Sequence, residues 1–152
     1  MQQTDDPPII RLFTEIGIID QLARNQFERS LPDGLKTSQF TVLNHLVRLG
    51  GDWNPARLAA AFQVTKAAMT NTIQRLEKRN LVVVAPDPTD GRGKLVRITA
   101  AGEKMRERCL QSIAPIMFGL QNELSDKDIA VVLPVLEKVR NYLDSNRSSA
   151  SD

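Results

Sequence analysis

One cysteine, one histidine, one tryptophan and one tyrosine are all that this chain of 152 residues holds of those four types, and each shortage removes a class of function. A single thiol, Cys109, excludes an internal disulfide. With His45 as the one imidazole, soft ligands are too few for a typical zinc site, so no metal and no cofactor are expected. A glycine-rich phosphate loop is missing, as is a neighbouring cysteine and histidine pair, and Glu77 and Asp90 stand beside cations instead of in apolar surroundings. Catalysis is therefore not expected. No run approaches the roughly 18 apolar residues of a membrane helix. The first eight residues carry two aspartates and no cation, unlike a secretory leader. These absences predict a soluble cytoplasmic protein with no membrane partner.

What is present suits one small domain over residues 1–152. At 41% hydrophobic and 25% charged, the chain is long enough for a core and short for two. The formal net charge of +2 hides an uneven distribution. From Arg57 to Arg97 there are eight cations (Arg57, Lys66, Arg75, Lys78, Arg79, Arg92, Lys94, Arg97) against three anions (Glu77, Asp87, Asp90), a local net charge of +5. The remainder has 12 cations and 15 anions, a net charge of −3. Positive charge gathered on one segment is the electrostatic footprint of a phosphate-binding surface.

That same segment has a recognisable order of elements. Asn54 as N-cap and Pro55 as first residue predict a helix with Leu58, Ala59 and Phe62 turned inward, and Gln63-Val64 supplies a short turn. Thr65 opens a second helix, in which Met69, Ile73 and Leu76 recur at the spacing of one buried face. Counting about 100° per residue from Met69 places Ala67, Thr70, Asn71, Gln74 and Lys78 outward. Small, hydrogen-bonding and cationic groups on one face suit base edges and phosphates. Leu81 to Ala85 and Leu95 to Thr99 then read as two strands, with Pro86 to Lys94 as a loop rich in turn formers and a cationic tip. Helix, turn, helix and hairpin in this order describe a winged helix-turn-helix, in a fold that is otherwise mainly α.

In this region the chain resembles the multiple antibiotic resistance regulator (MarR) family of bacterial transcription factors. The residues that carry the resemblance are Leu58-Ala59, the run from Leu76 to Val82, the run from Asp87 to Thr99, and Gly102. Outside residues 37–102 the likeness rests on helical pattern alone, yet it extends over nearly the whole chain. It implies a homodimer bound to palindromic double-stranded DNA. Three positions depart from the family pattern. Asn80 stands where glycine is usual, and asparagine tolerates the left-handed conformation of a helix C-terminus. Val84 stands where a basic residue is common, and Gly91 fills the first position of a frequent Asp-Arg-Arg wing, so two phosphate contacts are missing and affinity is expected below the family norm.

Both ends of the chain predict helices in need of cover. After Asp6-Pro7, Leu12, Ile16, Ile19, Ala23 and Phe27 form one stripe. Thr99 caps a helix bearing Met105, Cys109, Ile116, Leu120 and Leu124; Ser125 and Asp128 cap a last one bearing Ile129, Val132, Leu133, Leu136, Val139 and Leu143. A second copy is the simplest cover, giving a two-fold interface through Leu12, Ile16, Ile19, Leu133, Leu136 and Val139. Residues 7–31 and 100–146 thus form the dimerisation helices, residues 37–99 the reading lobe, and residues 147–152, rich in serine, a disordered tail. Pro115 and Pro134 predict a break or kink in their helices.

Thr65, Lys66, Ala67, Thr70, Asn71, Gln74, Arg75, Lys78, Arg92 and Lys94 are the candidate DNA contacts. The amides of Asn71 and Gln74 suit adenine, Lys66, Arg75 and Lys78 suit phosphates, and Arg92 suits a narrow minor groove. Asp90 is expected to fix the wing by pairing with a nearby arginine, as in similar proteins. The resemblance further implies a small effector where the dimer helices meet the reading lobe. Phe13, Ile16, Phe40, Leu43, His45 and Trp53 are the candidate lining residues, suited to an aromatic or phenolic compound. Cys109 falls on an apolar stripe, which favours a buried, inert thiol over a redox sensor. A repressor is the expected function. The competing reading, a winged-helix module that binds protein, is disfavoured by the cationic excess.

Overall fold

The computed structural model describes residues 6–147. Its elements are α1 (Pro8–Ser30), a 3-10 turn (Pro32–Gly34), α2 (Thr37–Leu49), α3 (Pro55–Phe62), α4 (Lys66–Lys78), β1 (Val82–Asp87), β2 (Asp90–Ile98), α5 (Ala100–Glu123) and α6 (Asp126–Arg147). The fold is mainly helical with one small hairpin. The serine-rich tail beyond Arg147 lies outside the described residues.

Two compact units divide after Ile113. In the first, the core gathers Leu35, Val42, Leu43, Leu58, Leu76, Val82, Val96 and Cys109, all fully buried. Caps fix where its helices begin. Asn54 Oδ1 accepts from the Arg57 backbone N–H at 2.7 Å, and Thr65 Oγ1 from that of Ala68 at 3.1 Å. The buried Gln39 is satisfied because its Oε1 accepts from the Lys36 N–H at 2.9 Å. Between α3 and α4, Gln63 takes the left-handed conformation (φ 53°) and makes the tight turn that crosses the two helices. Along α4, Met69, Ile73 and Leu76 point into the core as their spacing requires.

The hairpin is longer than its sequence suggests. Residues 86–94 read as a loop, yet β1 continues to Asp87 and β2 begins at Asp90, leaving Pro88-Thr89 as the whole turn. Asp87 makes this possible: its Oδ1 accepts from both the N–H (2.8 Å) and the hydroxyl (2.7 Å) of Thr89, closing the turn locally. The pairing runs from Val82 against Ile98 to Pro86 against Lys94, then shifts register before Asp87 and Asp90. Leu81 and Thr99 stand just outside it, joined by a hydrogen bond from the Thr99 N–H to the Leu81 carbonyl. A short bridge from Trp53 to Val96 anchors the hairpin to the segment before α3.

In α5 the N-cap expected at Thr99 is present, its Oγ1 accepting from the Gly102 N–H at 3.0 Å, and Met105, Cys109 and Ile113 are buried. The second unit contains the remainder of α5 and all of α6. Ser125 and Asp128 cap α6 reciprocally, since Asp128 Oδ2 accepts from the Ser125 N–H and Ser125 Oγ from the Asp128 N–H. Neither proline ends its helix: α5 continues through Pro115 and α6 through Pro134. A proline removes one amide donor from the ladder, and the intact turns on both sides carry the helix past it.

Candidate nucleic-acid interface

Helix α4 and the wing supply the polar surface. On α4, Lys66, Ala67, Thr70, Asn71, Gln74, Arg75 and Lys78 are exposed, opposite the buried stripe, and Thr65 caps the first turn. One contact within this set was not anticipated. The Arg75 Nε–H donates to Asn71 Oδ1 at 3.2 Å, so two side chains expected to act separately form one unit. Their i, i+4 spacing was the available signal.

At the wing, Arg92 and Lys94 are exposed. Asp90 accepts from the backbone N–H of Arg92 at 3.1 Å. Among the described residues its partner is thus an arginine's main chain and not the guanidinium expected from sequence. A carboxylate two residues before a donor closes an Asx-type turn without drawing the arginine side chain inward. Gly93 is tightly placed, since a Cβ there would meet the Asp87 Cβ at 3.2 Å. Between the end of α4 and the wing lies an open cleft of about 260 Å³, lined by Glu77, Val84, Pro86, Arg92 and Lys94 among others.

Charge on this surface is largely unneutralised. Of the eight cations from Arg57 to Arg97, Arg97 alone makes an ion pair among the described residues, with Asp52 at 3.1 Å. Arg57 instead stacks 4.1 Å from the centre of the Trp53 ring, and Arg79 donates to the Asp33 carbonyl at 3.2 Å. The others hold their charge toward solvent, where polyanion binding with counterion release needs it.

The six residues expected to line an effector pocket divide between the buried core and its partly exposed surroundings. Leu43 is wholly buried, and Trp53 is core, with its indole N–H donated to the Gly50 carbonyl at 2.8 Å. His45 packs edge-on to Trp53 (4.3 Å) and tilted on Phe62 (5.0 Å). Phe40 is half-buried against the same core, Ile16 is half-buried on α1, and Phe13 is 44% exposed. For Leu43 and Trp53, the demands of filling the core have overridden the pocket expectation.

The terminal helices carry an apolar surface. Helix α1 buries none of its residues fully: Leu12 and Ile16 are half-buried and Ile19 is 60% exposed. On α6, Leu133 and Leu136 are exposed and Val139 is half-buried. Cys109 has no exposed surface, and burial pushes its thiol above the ordinary range. No described helix is long and apolar enough to cross a membrane, and no described cluster of His, Cys, Asp and Glu is arranged to hold a metal.

Comparison with known proteins matches this surface to a family. The chain is 28% identical over 148 residues to the multiple antibiotic resistance protein MarR of Escherichia coli, spanning 91% of this chain and 99% of that protein. It is 29% identical over 127 residues to the transcriptional repressor NicR of Pseudomonas putida, spanning 81% and 76% respectively. A crystal structure of a mutant Escherichia coli MarR complexed with operator DNA superposes with a TM-score of 0.76, at 28% identity over 86% of this chain and 94% of that one. Residues 33–93 match the model of the MarR family, a stretch that runs from the turn before α2 through α3 and α4 to the wing tip. The matched segment thus contains α4 and the wing as far as Gly93, and over most of its length the chain is similar to winged helix-turn-helix transcriptional regulators of the MarR family.

Proposed function

We propose that this protein is a homodimeric repressor that binds an inverted-repeat operator in the cytoplasm and releases it in response to a small effector. One observation carries the DNA reading: five exposed cations that no ion pair neutralises among the described residues, Lys66, Arg75 and Lys78 on α4 and Arg92 and Lys94 on the wing, share the polar surface of those two elements. In this reading α4 enters the major groove, Gln74 and Thr70 reach base edges, Lys66 and Lys78 contact phosphates, and Arg92 reaches into the minor groove. Asp90 holds the wing turn beneath it.

The dimer reading rests on exposed Ile19, Leu133 and Leu136, apolar surface on helices from both chain ends that a second copy would cover. A two-fold dimer sets its reading helices roughly 34 to 36 Å apart, one turn of DNA, which fixes the half-site spacing. Repression follows the naming of NicR. A small aromatic or phenolic effector remains the proposal for the junction of α1 and α2, with Phe13, Ile16, Phe40 and His45 as the residues left available once Leu43 and Trp53 are given to the core.

The test is to mix the full-length protein with sheared genomic DNA at near-physiological salt and sequence what it retains. Enrichment of one inverted repeat supports the reading; diffuse recovery overturns it in favour of a protein-binding module. On the enriched site, Arg92→Ala should weaken binding and reduce the salt slope by about one unit, and Gln74→Ala should relax preference at one base pair per half-site.

A further inference from the structure

We infer that Asn71 and Arg75 act together as one guanine-reading unit, with Arg75 making the base contact and Asn71 positioning it. The inference rests on the DNA-binding reading above and assigns the base that one part of that surface selects. Its starting point is the hydrogen bond from Arg75 Nε–H to Asn71 Oδ1 at 3.2 Å.

That bond divides the hydrogen-bonding capacity of both side chains. Arg75 has given its Nε–H to Asn71, which leaves the terminal Nη1 and Nη2 as a planar fork of donors. Among the described residues no carboxylate forms an ion pair with it, so the fork keeps its full charge. Guanine shows two adjacent acceptors, O6 and N7, in the major groove, whereas adenine shows one acceptor and one donor. A fork that only donates fits guanine. Asn71, for its part, has an oxygen already engaged. Bidentate pairing with adenine would need that oxygen as acceptor, so the bond to Arg75 works against the adenine contact its residue type suggests.

Position supports the same assignment. On the helical wheel Asn71 lies about 200° from Met69, in the middle of the outward face, and Arg75 lies about 240° from it, toward the edge. An untethered arginine at the edge would meet the phosphate backbone. Tied to Asn71, its guanidinium is drawn toward the midline that faces the groove floor. Holding the side chain before binding also removes part of the rotamer freedom that docking would otherwise take away.

The experiment is selection from a randomised duplex library by the full-length protein and by Arg75→Lys, Arg75→Ala and Asn71→Ala, followed by affinity measurements at several salt concentrations. Wild type should require guanine at one position per half-site, with a loss of about tenfold when that base is changed. Arg75→Lys keeps the charge but loses the fork, so it should keep the salt slope and lose the guanine preference. Asn71→Ala should weaken the preference at that same position. Both residues are exposed, so the fold should survive each change, as circular dichroism will show. The inference is overturned if Arg75→Lys selects guanine as wild type does, if Arg75→Ala weakens all sequences equally, or if Asn71→Ala alters a different position. Should wild type enrich no sequence at all, the regulator reading itself fails and this inference with it; specific wild-type binding with unchanged variants removes the inference alone.

Discussion

Gly102, in the first turn of α5, lies so close to the Leu81 carbonyl that a side chain there would overlap its oxygen and come within 2.7 Å of Ile98 Cγ1. The carbonyl has little freedom to retreat, because it also accepts from the Thr99 N–H at 3.1 Å. Glycine is therefore a packing requirement where α5 meets the base of the hairpin. Gly102→Ala should destabilise the fold by about 1–3 kcal/mol through overpacking, seen as a lower urea midpoint with an unchanged slope. Wild-type stability would show that the junction gives way.

Asn80 offers the opposite experiment. It holds a left-handed conformation (φ 55°) after α4, and its carbonyl accepts from the Thr99 hydroxyl at 2.7 Å. On the side of residue 80 that contact uses the main-chain carbonyl alone, so any residue able to adopt the conformation retains it. Asn80→Gly should raise stability by about 0.5–1 kcal/mol, and Asn80→Ala should lower it by about 1 kcal/mol. Shifts in the same direction for both variants would contradict a conformational origin.

His45 gives the fold a pH dependence of definite sign. Burial lowers its pKa, and the nearby cations Arg48 and Arg57 add to the effect. Among the described residues its buried Nε2 has no hydrogen-bond partner, and its ring packs against Trp53 and Phe62. The unfolded chain takes up a proton near the ordinary imidazole value of about 6.5, while the folded chain resists until lower pH. This contribution to stability is therefore complete above about pH 6.5 and declines as pH falls toward the lowered value. Unfolding free energies measured from pH 8 to 5 should decline at the acid end for wild type and less steeply for His45→Leu. Parallel curves would remove His45 as the cause.

The apolar surface of the terminal helices predicts an assembly that single charges disrupt. Ile19 is 60% and Leu133 51% exposed in the single chain, so a carboxylate at either position leaves the chain's own core untouched. Ile19→Glu and Leu133→Glu should each convert a dimer to a folded monomer in light scattering and weaken operator binding, because one reading lobe engages only a half-site. A monomeric wild type would refute the dimer outright.

Much of the reading lobe was legible in the sequence because its determinants are local. Asn54 and Thr65 cap the helices they were expected to cap, Met69, Ile73 and Leu76 face the core as a period of 3.6 demands, and Ser125 with Asp128 begins the last helix. Other features depended on neighbours that no spacing reveals. Pro86 and Lys94 looked like loop residues until their strands paired, because antiparallel hydrogen bonds stabilise backbone whose own propensity favours a turn. Pro115 and Pro134 predicted a break or kink, and neither ends its helix.

By itself the sequence determined the order of elements, the concentration of positive charge between Arg57 and Arg97 and the face of α4 that turns outward, since caps, periodicity and charge are properties of residues near one another in the chain. Tertiary structure alone decided that Leu43 and Trp53 belong to the core, that the Val96 N–H reaches the Trp53 carbonyl at 2.7 Å to anchor the wing, and that Gly102 must be bare against Leu81. These outcomes depend on which distant segments meet and on how closely the interior packs, and a close-packed interior settles side-chain roles that amino-acid type and spacing leave open.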